Sequence, residues 1–139
     1  LEPFSFSDAV LGVLAQRLAR RLCTACRERY SASATELEEF CRYLGRQEID
    51  RLTDSGVLKL WRAPGCAQCD NTGYRGRVAL HELLINTETI REAIQQQSST
   101  SQLREHSVLG GITTLLQDGV VKCIDGLTDL KQVLAVCSR

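Results

Sequence analysis

Four cysteines offer the clearest chemistry in this chain. They stand in two pairs, Cys23-Thr-Ala-Cys26 and Cys66-Ala-Gln-Cys69, with 39 residues between the pairs. A Cys-x-x-Cys turn presents two sulfurs on one tight knuckle, half of a tetrahedral shell. Two knuckles complete that shell for zinc, at Zn–S distances of about 2.3 Å. Four protein ligands leave no position for water or substrate, so such a metal is structural rather than catalytic. Two separate disulfides, a redox pair and iron ligation are the alternative uses of the same residues. One knuckle alone would fit a thioredoxin-like redox site, but neither sits in a strand–helix unit of that kind.

Other reactive constellations are missing. Gly-x4-Gly-Lys-Ser/Thr does not occur, and no lysine is followed by Ser or Thr. The two histidines are His81 and His106. His81 adjoins Glu82, but neighbours on a strand point to opposite faces and cannot act as an acid–base pair. Both histidines read as structural or surface residues. No nucleophile stands beside a base, so this stretch by itself is expected not to be an enzyme.

Seventeen basic residues balance seventeen acidic ones, which gives no overall electrostatic footprint for nucleic acid or an anionic membrane. Arginines nevertheless gather near the knuckles: Arg20, Arg21, Arg27, Arg29, Arg62, Arg75 and Arg77. A zinc tetrathiolate carries two negative charges, and compensation is one plain reason for the cluster. Cys41, Cys123 and Cys137 lie in apolar patterns and read as small core residues. Seven cysteines without a signal peptide or an apolar run of membrane length suggest the reducing cytoplasm. The absence of methionine suggests a piece of a longer protein.

These sites need elements to hold them. The fold expected is α+β and mostly helical. Residues 1–85 form a tetracysteine lobe with a leading helix and a β-hairpin, and residues 86–139 a helical lobe. A helix is predicted from Asp8 to Leu22, with Val10, Leu14 and Leu18 as its apolar stripe and Gln16, Arg17, Arg20 and Arg21 largely off it. Ser33-Ala-Thr-Glu36 has capping-box spacing and opens a helix that Gly45 stops. A short helix follows over Gln47 to Thr53. The strand from Leu58 to Trp61 is expected to pair with Arg77–Ile85, the second knuckle serving as their connection. Helices should then start at Thr87, Ser99, Thr113 or Thr114, and Thr128, with Gly110-Gly111 as a break.

Several of these stretches coincide in one family. Ala15-Gln-Arg-Leu-Ala-Arg-Arg-Leu-Cys23-x-x-Cys26 resembles the opening of the tetracysteine region of the secretion ATPases of type II secretion and type IV pilus assembly. Gly65-Cys-x-x-Cys69-Asp-Asn-Thr-Gly-Tyr-Arg-Gly-Arg77, followed by His-Glu-Leu-Leu, is similar to its second half. Gly111-Ile-Thr-Thr-Leu-x-x-Asp-Gly119-x-x-Lys-x-x-x-Gly126-Leu-Thr resembles the family's terminal helical signature, and Leu1-Glu-Pro-Phe its approach to the first helix.

The resemblance implies a C-terminal part of a RecA-like ring ATPase, usually a hexamer, whose ATP- and Mg²⁺-binding motifs lie upstream. It implies zinc on Cys23, Cys26, Cys66 and Cys69, supporting the lobe rather than hydrolysis. It also implies work beneath an inner-membrane platform protein, driving pseudopilus or pilus assembly from the cytoplasmic side. Gln16, Arg17, Arg20 and Arg21 are then expected to face an acidic or phosphate-bearing surface, a neighbouring lobe or the nucleotide edge. Chelation should loosen the residues between the knuckles more than the helical tail. A free-standing zinc-binding module for protein or nucleic acid is the other reading, and neutral charge without interleaved basic and aromatic residues counts against nucleic acid.

Overall fold

The computed structural model describes residues 12–53, 56–85 and 113–137. In chain order these residues form β1 (Gly12–Leu22), β2 (Glu28–Ser31), α1 (Ala34–Leu44), α2 (Arg46–Leu52), β3 (Lys59–Arg62), a 3₁₀ turn (Ala67–Cys69), β4 (Tyr74–Ile85), α3 (Leu115–Ile124) and α4 (Leu130–Cys137). The class is α+β, as the sequence suggests. The chain divides into two compact units, one of Leu1–Gln16 with His81–Leu115, the other of Arg17–Leu80 with Leu116–Arg139. The helices expected to start at Thr87 and Ser99, and the Gly110-Gly111 break, lie outside the described residues.

The predicted leading helix is a strand where it is described. Its i, i+4 leucines are not a buried stripe: Leu14 is 59% exposed and Leu18 47%, while Ala19 and Leu22 are buried. Backbone partners explain the outcome. The Leu22 N–H donates to the Leu127 carbonyl at 2.9 Å, and the Arg20 carbonyl accepts the Thr128 hydroxyl at 2.8 Å. A helix would spend those backbone groups on itself. Here partners distant in sequence take them, and tertiary context overrides local propensity.

Strand pairing also departs from expectation. β3 pairs antiparallel with β2, with Arg29 opposite Trp61 and Tyr30 opposite Leu60, while β4 pairs with β1. The second knuckle therefore connects strands of two different sheets instead of closing a hairpin. Glu28-Arg-Tyr-Ser31 escaped the sequence reading because four mostly polar residues carry almost no periodic signal.

The helices follow their local signals closely. Ser33 Oγ accepts the Glu36 N–H at 3.1 Å and Glu36 Oε1 accepts the Ser33 N–H at 2.9 Å, a complete capping box. The Tyr30 hydroxyl donates to the other Glu36 oxygen at 2.6 Å, fastening β2 to the start of α1. α4 is capped by Asp129 rather than Thr128, since Asp129 Oδ1 accepts the Gln132 N–H at 2.9 Å. Thr128 is instead fully buried, its hydroxyl committed to β1.

The core of the larger unit joins Phe40, Ile49, Leu58, Leu60, Leu80, Val120, Cys123 and Val133 with Leu22 and Cys23. Gly119 lets α3 and α4 approach closely, because a Cβ there would stand 2.5 Å from a Val133 methyl. Lys122 ties α3 to β4, donating to the Ala79 carbonyl at 2.6 Å and pairing with Asp118 at 2.8 Å. In the other unit His81 is exposed, and Glu82 Oε1 accepts the Leu115 N–H at 2.8 Å. Glu82 thus serves a helix start, where a carboxylate offsets the dipole. No helix among the described residues is long and apolar enough to cross a membrane.

Candidate metal centre

β1 delivers the first knuckle and β3 leads to the second. Cys23 follows the buried end of β1, and its N–H donates to the Gly73 carbonyl at 2.9 Å. The chain then folds back, with the Arg27 N–H on the Cys23 carbonyl at 3.0 Å. In the second knuckle the 3₁₀ turn Ala67–Cys69 ends in two left-handed residues, Asp70 (φ 54°) and Asn71 (φ 60°). Asp and Asn tolerate that conformation better than most residues. Gly73 closes the turn at φ +83°, where a Cβ would lie 2.5 Å from the Ala63 carbonyl oxygen. Only glycine fits, and its N–H and carbonyl serve opposite knuckles.

The structure brings all four predicted ligands together. Sγ of Cys23 lies 3.8 Å from that of Cys66, Cys26 3.9 Å from Cys69, and Cys66 3.8 Å from Cys69. All four sulfurs fall within 4.8 Å of one another. A regular tetrahedron of thiolates around zinc has sulfur–sulfur edges of about 3.8 Å, given Zn–S of about 2.3 Å. Disulfide sulfurs would stand about 2.05 Å apart. The donor set therefore fits a tetrahedrally held metal ion and does not contain the two alternative disulfides.

Electrostatics favour ionisation at one corner. Burial pushes the Cys69 thiol up, but the N–H groups of Cys66 and Gly73, each 3.2 Å from the sulfur, outweigh it with help from the Cys66 and Cys26 thiols. Cys69 is thereby brought to about 6. Cys26 moves the other way: burial and the three neighbouring thiols outweigh a Gly65 backbone bond and push it up to about 12. Between these two sulfurs the thiolate is thus favoured at Cys69, where two backbone donors point.

The arginine cluster has a more specific arrangement than charge compensation suggests. Arg27 stacks over Trp61 at 4.5 Å and Arg29 lies 5.9 Å from the same ring. Arg62 covers Tyr30 at 4.8 Å and Arg20 covers Tyr74 at 4.6 Å. Gln16, Arg17, Arg20 and Arg21 are all exposed on β1. Arg27, Trp61 and Gly126 form a contact absent from the sequence reading. Their only advance sign was Gly126 within the terminal motif.

Residues 1–135 match the model of the Type II/IV secretion system protein family. The chain belongs to that family. Among members of the Type II/IV secretion system family, the Type IV pilus assembly ATPase PilB of Thermus thermophilus is 38% identical over 135 residues, covering 97% of this chain and 14% of that protein. The Type II secretion system protein E of Pseudomonas aeruginosa is 38% identical over 136 residues, 98% of this chain and 25% of its own length. The Type II secretion system ATPase E of Vibrio cholerae is 36% identical over 139 residues, with the same two shares. The chain therefore spans between a seventh and a quarter of these relatives.

Proposed function

We propose that this chain is the C-terminal, non-catalytic part of a secretion-type motor ATPase that powers type II secretion or type IV pilus assembly, with structural zinc on Cys23, Cys26, Cys66 and Cys69. The observation that carries this reading is the meeting of two facts. Identity with named secretion and pilus ATPases runs through almost the whole chain, and four sulfurs stand at zinc-thiolate spacing within it. Zinc would act here as a cross-link, because four thiolates leave no coordination site for chemistry. ATP and Mg²⁺ would bind elsewhere in a longer protein working as a homohexamer on the cytoplasmic side of the inner membrane, against platform and assembly proteins.

Within that reading Gln16, Arg17, Arg20 and Arg21 on β1 face a neighbouring lobe or nucleotide edge, and guanidinium groups suit carboxylate or phosphate there. Three measurements test the proposal. Zinc quantified in chain purified without chelator should reach one per molecule, and X-ray absorption should show sulfur-only ligation. ATP turnover by the full gene product should fall on Arg17→Ala while its zinc content holds. Zinc-free protein, or turnover by the 139-residue chain alone, would contradict it.

A further inference from the structure

A second concave site lies away from the cysteines. It is a groove of about 280 Å³ lined by Arg29 of β2, Arg51 at the end of α2, Lys59 of β3, and by Thr53, Val57 and Ile124 among others. Three cations from three elements converge there, and none of the described lining residues is acidic. In a chain with no net charge this is a local excess, since like charges brought together repel.

Internal pairing accounts for little of it. Arg51 completes the last turn of α2 and is bound by Glu48, so helix-dipole compensation explains that one cation. Among the described residues Lys59 donates only to a neutral partner, the Ser31 hydroxyl at 2.7 Å. Arg29 has the distant edge of the Trp61 stack. Arg29 and Lys59 also share a face of the β2–β3 ribbon, on diagonal positions of the ladder. Diagonal neighbours lie about 7–8 Å apart at Cα, a span that one carboxylate-bearing segment bridges.

We infer that this groove binds an acidic peptide segment of a partner protein, its carboxylates on Arg29 and Lys59. The inference goes beyond the motor assignment and does not depend on it. Three features select a peptide. No aromatic ring is among the described lining residues, and the nearby Trp61 already carries Arg27 at 4.5 Å, so the groove offers a nucleobase no stacking platform. A recessed groove does not fit a flat lipid surface. Val57, 45% exposed at the groove, gives an adjacent apolar side chain something to cover.

The test is a titration of the ¹⁵N-labelled chain, as isolated, with a synthetic octapeptide alternating glutamate and leucine. Its lysine–leucine counterpart, inorganic phosphate and phosphatidylglycerol vesicles are run beside it. Amide shifts should cluster at Arg29, Arg51, Thr53, Val57, Lys59 and Ile124, and should weaken as salt rises. Arg29→Gln with Lys59→Gln, checked for an unchanged spectrum elsewhere, should weaken binding about fivefold or more, as loss of two charge contacts implies. Absence of shifts at millimolar peptide overturns the proposal, as does an equal response to the lysine peptide. It is equally overturned if phosphate or vesicles reproduce the shifts, or if concentrating the chain alone does so, which would assign the groove to a second copy.

Discussion

Arg27 and Gly126, 99 positions apart, meet through a 2.6 Å hydrogen bond from guanidinium to carbonyl, and the same guanidinium lies 4.5 Å from the centre of the Trp61 ring. Gly126 has φ +85°, and a Cβ there would stand 2.7 Å from Arg27 Nη1 and 3.0 Å from the indole. The residue after Cys26 thereby reaches the turn between α3 and α4.

Gly126→Ala should therefore lose about 2 kcal/mol or more of stability, combining left-handed strain with overpacking. Arg27→Ala removes one of the clashing atoms, so the double variant should be more stable than the sum of the two single losses predicts. Urea unfolding of the four proteins checks this. Strictly additive losses would mean that the two residues do not share the contact.

Metal removal should reach further than the knuckle excursion. The turn after α3 is bound to the knuckle flanks by Leu22 N–H on the Leu127 carbonyl, Thr128 on the Arg20 carbonyl and Arg27 on the Gly126 carbonyl. Tyr74 also bonds Asp129. The sequence alone suggests that the helical tail is spared, and these bonds argue otherwise. Hydrogen exchange after chelation should accelerate at Leu22, Cys23 and Gly73 and also across residues 125–129. Cys66→Ser should produce the same pattern at a cost on the order of 3 kcal/mol, since thiolate ligation is coupled to folding. Protection that persists at 125–129 would show the turn to be independent of the metal.

Acid should weaken the start of α1. Burial raises the Glu36 carboxyl, but the Ser33 N–H, the Tyr30 hydroxyl, the Ser33 side chain and Arg62 outweigh it and hold the group below its ordinary range. A carboxyl lowered on folding adds stability above its unfolded value, near 4.3, and loses it as pH falls through the lower folded value. Glu36→Gln should cost about 1 kcal/mol at neutral pH, the scale of a lost cap bond with a solvent-screened charge. The gap in Tm between parent and variant should close below about pH 4. A gap that stays constant down to pH 2 would show that the charge contributes nothing.

Gly119→Ala sets two effects against each other. Alanine favours a helix interior by about 1 kcal/mol over glycine. The new methyl, however, would meet Val133 at 2.5 Å and Leu80 at 3.1 Å, both fully buried. β-branched Val133 has little rotamer freedom, so overpacking of about 1–3 kcal/mol should win. Thermal unfolding of Gly119→Ala should show a lowered Tm. Pairing it with Val133→Ala should recover part of the clash.

What the sequence revealed divides along physical lines. The ligand set was legible because two Cys-x-x-Cys pairs encode their own local geometry, and the Ser33 box because its partners are three residues apart. Gly45 as a helix stop and the starts of α3 and α4 close to Thr114 and Thr128 were legible for the same local reason. β1 is hidden because Leu14 and Leu18 mimic a helical stripe, whereas its actual partners, β4, Leu127 and Thr128, are distant in sequence. The β2–β3 ladder and the Arg27–Trp61 stack were hidden likewise. Cross-strand register depends on long-range contacts that no short window contains.

Both cross-knuckle sulfur pairs, Cys23 with Cys66 and Cys26 with Cys69, have the same sequence separation of 43. With a metal on these sulfurs the intervening chain becomes a closed loop whose two ends are fixed at one point. By the chain-entropy relation a cross-link of that span restricts the unfolded chain by roughly 4 kcal/mol. That restraint depends only logarithmically on length, and doubling the loop changes it by about 0.6 kcal/mol. The restraint is therefore nearly indifferent to the length of that stretch, but Phe40, Ile49, Leu58 and Leu60 within it share one core with Leu80, Val120 and Val133, so only its exposed turns can lengthen at little cost. The knuckles leave the outer turns of the stretch free to vary while its packed face stays fixed to the rest of the chain.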